Sequence, residues 1–246
     1  MERKLAQRNL LVAAVHLTSF VSLLILSLTY SDVARRVSLW FDTDRGLSIE
    51  KLAEFSIAVS ILPFPAITAI FHLIAAERSL IPWNEAAVLR RGVNAWRWLE
   101  YSITNGLITF SLCVLAGAGG LPLVIVAVLS NVLMQYFGYL HEALGRHCSI
   151  EYLAMGFLPW VQIWLVTILP YYTANASSAP TYESFAILGS FVLSLAFVVP
   201  LIWRLQKPNT PKNNFALENM YIVLSLVAKL YLDWTVTIGY IVEADY

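Results

Sequence analysis

The sequence predicts an all-α membrane protein, a seven-transmembrane helix bundle in a single domain. Three observations carry that prediction. Hydrophobic residues fill 59% of the 246 positions and charged residues only 13%, with a mean hydropathy of +0.67, too apolar for a soluble domain. Seven apolar runs reach the roughly 20 residues that a helix needs to cross a bilayer. No long polar gap separates one run from the next, so residues 1–246 read as one membrane domain. The formal net charge is zero, which leaves no basic footprint for a nucleic-acid partner.

The first span, 9–30, follows MERKLAQR directly, and no cleavable signal peptide is visible. The others are 52–76, 94–117, 120–140, 150–172, 183–205 and 215–242. A backbone in lipid must satisfy its own hydrogen bonds, so each is expected to be helical. Pro63, Pro65, Pro159 and Pro200 fall inside spans and predict kinks that neighbouring helices re-satisfy. Of the basic residues, Arg3, Lys4, Arg8, Arg78, Arg90, Arg91, Arg146, Arg204, Lys207 and Lys212 lie on one side. Arg35, Arg36, Arg45 and Lys51 lie on the other, with the acidic VEADY terminus. Ten against four predicts the N-terminus inside and the C-terminus outside.

The longest loop, 31–51, reads SDVARRVSLWFDTDRGLSIEK. VSLW alternates and TDRG is a turn signal, so a small β-like outer cap is expected, with a flexible loop as the alternative. Cys113 and Cys148 offer neither a disulfide framework nor a metal spacing. Asn175-Ala176-Ser177 matches the glycosylation pattern on an outer loop, which has meaning only in a host that glycosylates.

Charged residues inside spans are functional-site hypotheses by default. SLVAKLYLDW places Lys229 mid-way along the last span, with Ser225 four residues before it and Asp233 four after, on one helix face. NAWRWLEYSITNG places Glu100 in the third span. His16 on the first span and His72 on the second lie at a similar depth, in the inner half. Plainer readings stand beside these. Glu100 could pair with Arg97, three residues earlier, and Lys229 with Asp233. Either histidine could be an ordinary core residue. Yet a buried lysine amine can form a Schiff base with a carbonyl ligand, and a carboxylate at ion-pair distance keeps that base protonated. Glu100 is the obvious partner. Trp98, Tyr101, Trp160, Trp164, Phe191 and Phe197 could line an elongated apolar ligand, or simply pack.

Seven helices with a lysine mid-way along the last resemble the microbial-type retinal proteins. Arg97-Trp98-Leu99-Glu100-Tyr101, followed by Thr104, looks like their third-helix motif. The inside N-terminus, the long first outer loop, the WRWLEYS run and the histidines on the first two spans together resemble the heliorhodopsins, over essentially the whole chain.

That resemblance implies all-trans retinal on Lys229 as a protonated Schiff base, with Glu100 as its sole carboxylate counterion. Ser225 stands where ordinary pumps carry a second aspartate. His16 and His72 would belong to a polar proton network, and Asn131 and Met134 would line the chromophore. A homodimer in a cell membrane is implied as well. Pumps of the superfamily carry a carboxylic donor eleven residues after the counterion; here that position is Ser111. The expected function is therefore light sensing, with photoisomerisation driving a conformational signal to a separate signalling partner, and no enzymatic activity. A light-driven or light-gated proton or ion path is the first alternative, with Asp233, Glu54 and Glu183 as possible outer participants. A non-photochemical membrane transporter is the second. No family role is carried onto Asp233.

Overall fold

The computed structural model describes residues 1–30, 36–43, 48–77, 85–144, 149–175 and 180–244. Arg35, Arg45, Arg78, Arg146, Cys148 and residues 176–177 of the glycosylation pattern lie outside them.

The described chain begins with helix α1 (Glu2–Thr29) and passes into a two-stranded hairpin, β1 (Arg36–Thr43) and β2 (Ser48–Ser56). The second span is a short helix α2 (Ile57–Ile61) and a longer α3 (Pro63–Ala76). A seven-residue helix α4 (Glu85–Arg91) precedes α5 (Ala95–Leu115), α6 (Leu121–Ala143) and α7 (Ser149–Pro170), which runs on into a π-turn over Tyr171–Asn175. Helices α8 (Thr181–Ala196) and α9 (Val198–Gln206) share the sixth span, and α10 (Pro211–Ala244) is the seventh.

Six of these spans are long and apolar enough to cross a membrane. Helix α5 is of comparable length, 21 residues, but more polar, because it carries Arg97, Glu100, Thr104, Thr109 and Ser111 on its buried side. Contacts link α1 to α3, α3 to α5, α5 to α6, α6 to α7, α7 to α8, α8 to α10 and α10 back to α1, a closed ring. Apolar side chains such as Leu28, Leu158 and Val192 face outward, whereas His16, Thr68, Thr104, Lys229 and Asp233 face inward. Polar atoms inside and hydrocarbon outside is the distribution that lipid imposes.

The prolines act where their geometry allows. Pro63 begins α3 after the break at Leu62, and Pro200 lies in the first turn of α9 after the break at Phe197. Both positions leave the missing N–H among groups that lack a helical partner anyway. Pro159 sits inside an unbroken α7.

The outer cap differs from expectation in extent. The hairpin is antiparallel and runs to Ser56, so the second span starts at Ile57 rather than near 52. Leu52, Ala53 and Phe55 gave that stretch apolar content, but its backbone pairs with β1 from Leu39↔Ala53 to Arg36↔Ser56. Opposite Leu39/Trp40 the register skips Leu52, a bulge that bends β2. There Trp40 donates its N–H to Gly119 O at 3.0 Å, seating the hairpin on the turn between α5 and α6. A Cβ on Gly119 would stand 2.1 Å from Ser38 O, so only glycine permits this approach.

The ends of the bundle are named here by what they carry. The hairpin face holds the sheet and the end of α10. The N-terminal face holds the start of α1, the α4 segment and the start of α10.

Candidate functional site

Helix α10 presents Ser225, Lys229, Asp233 and Thr237 at four-residue spacing, all buried. Lys229 is 1% exposed. Its Nζ donates to Glu100 Oε1 on α5 and to Thr68 Oγ1 on α3, the latter at 2.9 Å. Thr68 Oγ1 also lies 3.2 Å from Glu100 Oε1, and Thr104 Oγ1 donates to the same oxygen at 2.9 Å. One carboxylate oxygen thus collects the ammonium and two hydroxyls, from three helices. Such a buried pair is tolerable only with hydrogen bonds of this kind around it.

Arg97 does not pair with Glu100. Its guanidinium bridges Glu142 at the end of α6 and Glu218 on α10. Trp98 Nε1 donates to Glu142 Oε2 at 2.8 Å, and Asn94 Nδ2 to Glu218 Oε2 at 2.8 Å. The guanidinium also stacks 3.8 Å above the Tyr221 ring. Lys229 likewise makes its ion pair with Glu100 and not with Asp233. Glu142, Glu218 and Thr68 went unnoticed in the sequence. Glu218 lies inside the expected seventh span and carried the same intramembrane-charge signal as Lys229. Glu142 lies two residues beyond the expected end of the fourth span, where a charge is ordinary. A threonine such as Thr68 carries no signal.

Two cavities flank the ion pair. The larger, about 180 Å³, runs between α5, α6, α7, α8 and α10. Its walls include Ala228, which precedes Lys229, and Leu232, three residues after it, together with Trp98, Tyr101, Asn131, Met134, Trp160 and Phe197. Tyr101 meets Phe197 edge-on at 5.8 Å, and Trp160 Nε1 donates to Ser194 Oγ at 3.1 Å. Gly138 lets Trp98 close against α6, since a Cβ there would stand 2.4 Å from the indole. The smaller cavity, about 60 Å³, lies toward the N-terminal face and is lined by Asn9, His72, Arg97, Glu100, Tyr101 and Glu218 among others. His72 Nδ1 lies 2.8 Å from Asn9 Oδ1, and His16 stacks on His72 at 6.3 Å between ring centroids. Tyr101 borders both cavities, its ring centroid 5.5 Å from Lys229 Nζ. Ser225 sits buried one turn before Lys229.

A buried amine is thus held by a single carboxylate, with an aromatic chamber and a polar one nearby. The sequence profile of the family described as heliorhodopsin matches residues 5–241. The chain belongs to the heliorhodopsin family. Two solved structures share the heliorhodopsin's fold. A crystal structure of a thermophilic rhodopsin aligns with TM-score 0.68 at 16% identity, covering 99% of this chain and 96% of that one. A thermophilic rhodopsin from Rubrobacter xylanophilus aligns with TM-score 0.58 at 16% identity, covering 95% and 98%. No curated protein matches this heliorhodopsin in sequence.

Membership makes this an integral, multi-pass membrane protein and implies a retinal chromophore. The residues present fit that group. An elongated apolar aldehyde needs a buried amine, a counter-charge and an aromatic channel close by; Lys229 and Glu100 supply the first two, and the larger cavity, walled by Ala228 and Leu232 on the same helix as Lys229, supplies the third.

Proposed function

We propose that this heliorhodopsin is a light sensor in which all-trans retinal on Lys229 drives a conformational signal without ion pumping. The observation that carries the reading is the buried Lys229–Glu100 pair on helices whose neighbouring residues, Tyr101, Ala228 and Leu232, wall the aromatic cavity. Retinal, held as an imine on Lys229, supplies visible absorption and a light-driven isomerisation. The residues do the rest. Glu100 keeps the proton on the Lys229 nitrogen, and Thr68 and Thr104 fix the oxygen that faces it. Trp98, Tyr101, Asn131, Met134, Trp160 and Phe197 shape the channel and exclude water, and Ser225, buried one turn before Lys229, adds no second negative charge. When the nitrogen moves relative to Glu100 the pair weakens, and the proton passes to Glu100 Oε1. His72 and His16, across the smaller cavity, serve as further acceptors.

Loss of a buried charge pair biases a bundle toward a second arrangement. Trp98 forms cavity wall and also holds Glu142, so a change at the cavity bears on the Arg97 cluster that ties α5, α6 and α10 near the N-terminal face. We place that face inside the cell, where its basic residues meet a separate signalling partner, and we take the unit to be a homodimer. Pumping is disfavoured by Ser111. Its hydroxyl is committed to Leu107 O and Ser60 O, each at 3.0 Å, where a pump needs an acid.

Whole-cell recording tests sensing against transport. Retinal-loaded cells are expected to give no sustained photocurrent and no light-driven change of external pH. A steady current that vanishes in Lys229→Ala would establish an ion path instead.

A further inference from the structure

Asp233 is a fully buried intramembrane acid without a place in this scheme. It is 0% exposed, one helical turn from Lys229 toward the hairpin face, and neither carboxylate oxygen has a hydrogen-bond partner. The next polar group on that face, Thr237, is also fully buried, and its hydroxyl is likewise without a partner. An ionised carboxylate without donors in such a place is very costly, whereas the neutral acid is tolerated. The site is therefore built to hold a proton while Glu100 carries the charge, and the two acids approach Lys229 from different elements. Glu100 reaches it from α5, whereas Asp233 rides on α10 itself.

We propose that Asp233 is a second counterion, which takes over the Lys229 charge from Glu100 after illumination; this rests on Lys229 carrying the chromophore. The exchange balances in two proton transfers. The nitrogen gives its proton to Glu100: the N–H bond breaks and an O–H bond forms. Asp233 then gives its own proton to the nitrogen: its O–H bond breaks, N–H re-forms, and the new carboxylate faces the restored cation. The ion pair has moved from between α5 and α10 to within α10. The Lys229–Glu100 tie between the two helices is gone while Arg97–Glu218 remains, and both steps reverse on recovery, so no proton crosses the membrane. This gives the signal a physical content, the loss of the Lys229–Glu100 tie between α5 and α10 while the tie at Arg97 holds.

Infrared spectroscopy of the full chain with carboxyl-labelled aspartate tests the idea. Of the five aspartates, Asp32, Asp42, Asp44 and Asp245 lie in the first loop or at the C-terminus and Asp233 alone in a span. In the dark, with and without retinal, a neutral-acid carbonyl band sensitive to the aspartate label is expected. It should disappear in Asp233→Asn. In loaded wild type, light should remove this band while a neutral glutamic acid band appears. In Asp233→Asn the long-lived state should lack a proton on the Lys229 nitrogen and decay at least about tenfold more slowly, with Asp233→Glu restoring the rate. The absence of a label-sensitive neutral band in the dark wild type overturns the proposal without any variant. So does a band that light leaves unchanged. A visible pigment with a silent aspartate band defeats the counterion exchange alone. Failure to form any pigment defeats the retinal reading, and the exchange with it.

Discussion

Replacing Glu100 by Gln should split the visible absorption of the retinal-loaded protein. The amide keeps the shape but removes the only charge that Nζ meets at hydrogen-bond distance. Breaking one half of a buried ion pair costs about 3–5 kcal/mol, because the other half stays buried and uncompensated. For the nitrogen of Lys229 this favours the unprotonated form by roughly two to four orders of magnitude. Much of the pigment should then absorb in the near ultraviolet at neutral pH, and the fraction that stays protonated should shift to longer wavelength. Glu100→Asp, which keeps the charge, should retain most of the visible band. Absorption spectra of the three proteins over a pH series check this. An unchanged Glu100→Gln spectrum would remove Glu100 from the counterion role.

Arg97→Leu should be the most destabilising single change in the bundle. The guanidinium neutralises two buried carboxylates, Glu142 and Glu218, and stacks on Tyr221. Its loss leaves two acids from two helices facing each other with only Trp98, Asn94 and neighbouring groups as donors. The same principle gives a loss of about 3–5 kcal/mol, a large part of the stability of most domains. Thermal unfolding of detergent-solubilised protein should show a sharply lowered midpoint. Adding Glu142→Gln and Glu218→Gln to Arg97→Leu removes the uncompensated charge and should recover most of the loss. A midpoint that the single change does not move would mean that the cluster contributes little to holding α5, α6 and α10 together.

The two charges of the central pair were legible because lipid makes every intramembrane charge conspicuous. Lys229 and Glu100 stand out from apolar surroundings at sequence distance, and the structure brings them into contact. Their alternatives within one helix, Arg97 for Glu100 and Asp233 for Lys229, were equally compatible with helical spacing. Only packing decides between a neighbour three or four residues away and one more than a hundred away. Thr68 illustrates the limit, for a threonine inside a helix gives no sign of whether it caps a backbone carbonyl or braces a carboxylate. The hairpin shows a different one. Residues 52–56 are apolar enough to begin a span, and the pairing with β1 makes them the end of a strand. The aromatic residues could be recognised as plentiful, but which of them face one cavity follows from the closure of the ring.

The most direct measurement is a visible absorption spectrum of the protein expressed with all-trans retinal, set against Lys229→Ala prepared in the same way. A broad visible band in the wild type that is absent from a folded Lys229→Ala is the expected result. A band of equal strength in both, or in neither while both are folded, would contradict the assignment of Lys229 as the residue that holds the chromophore.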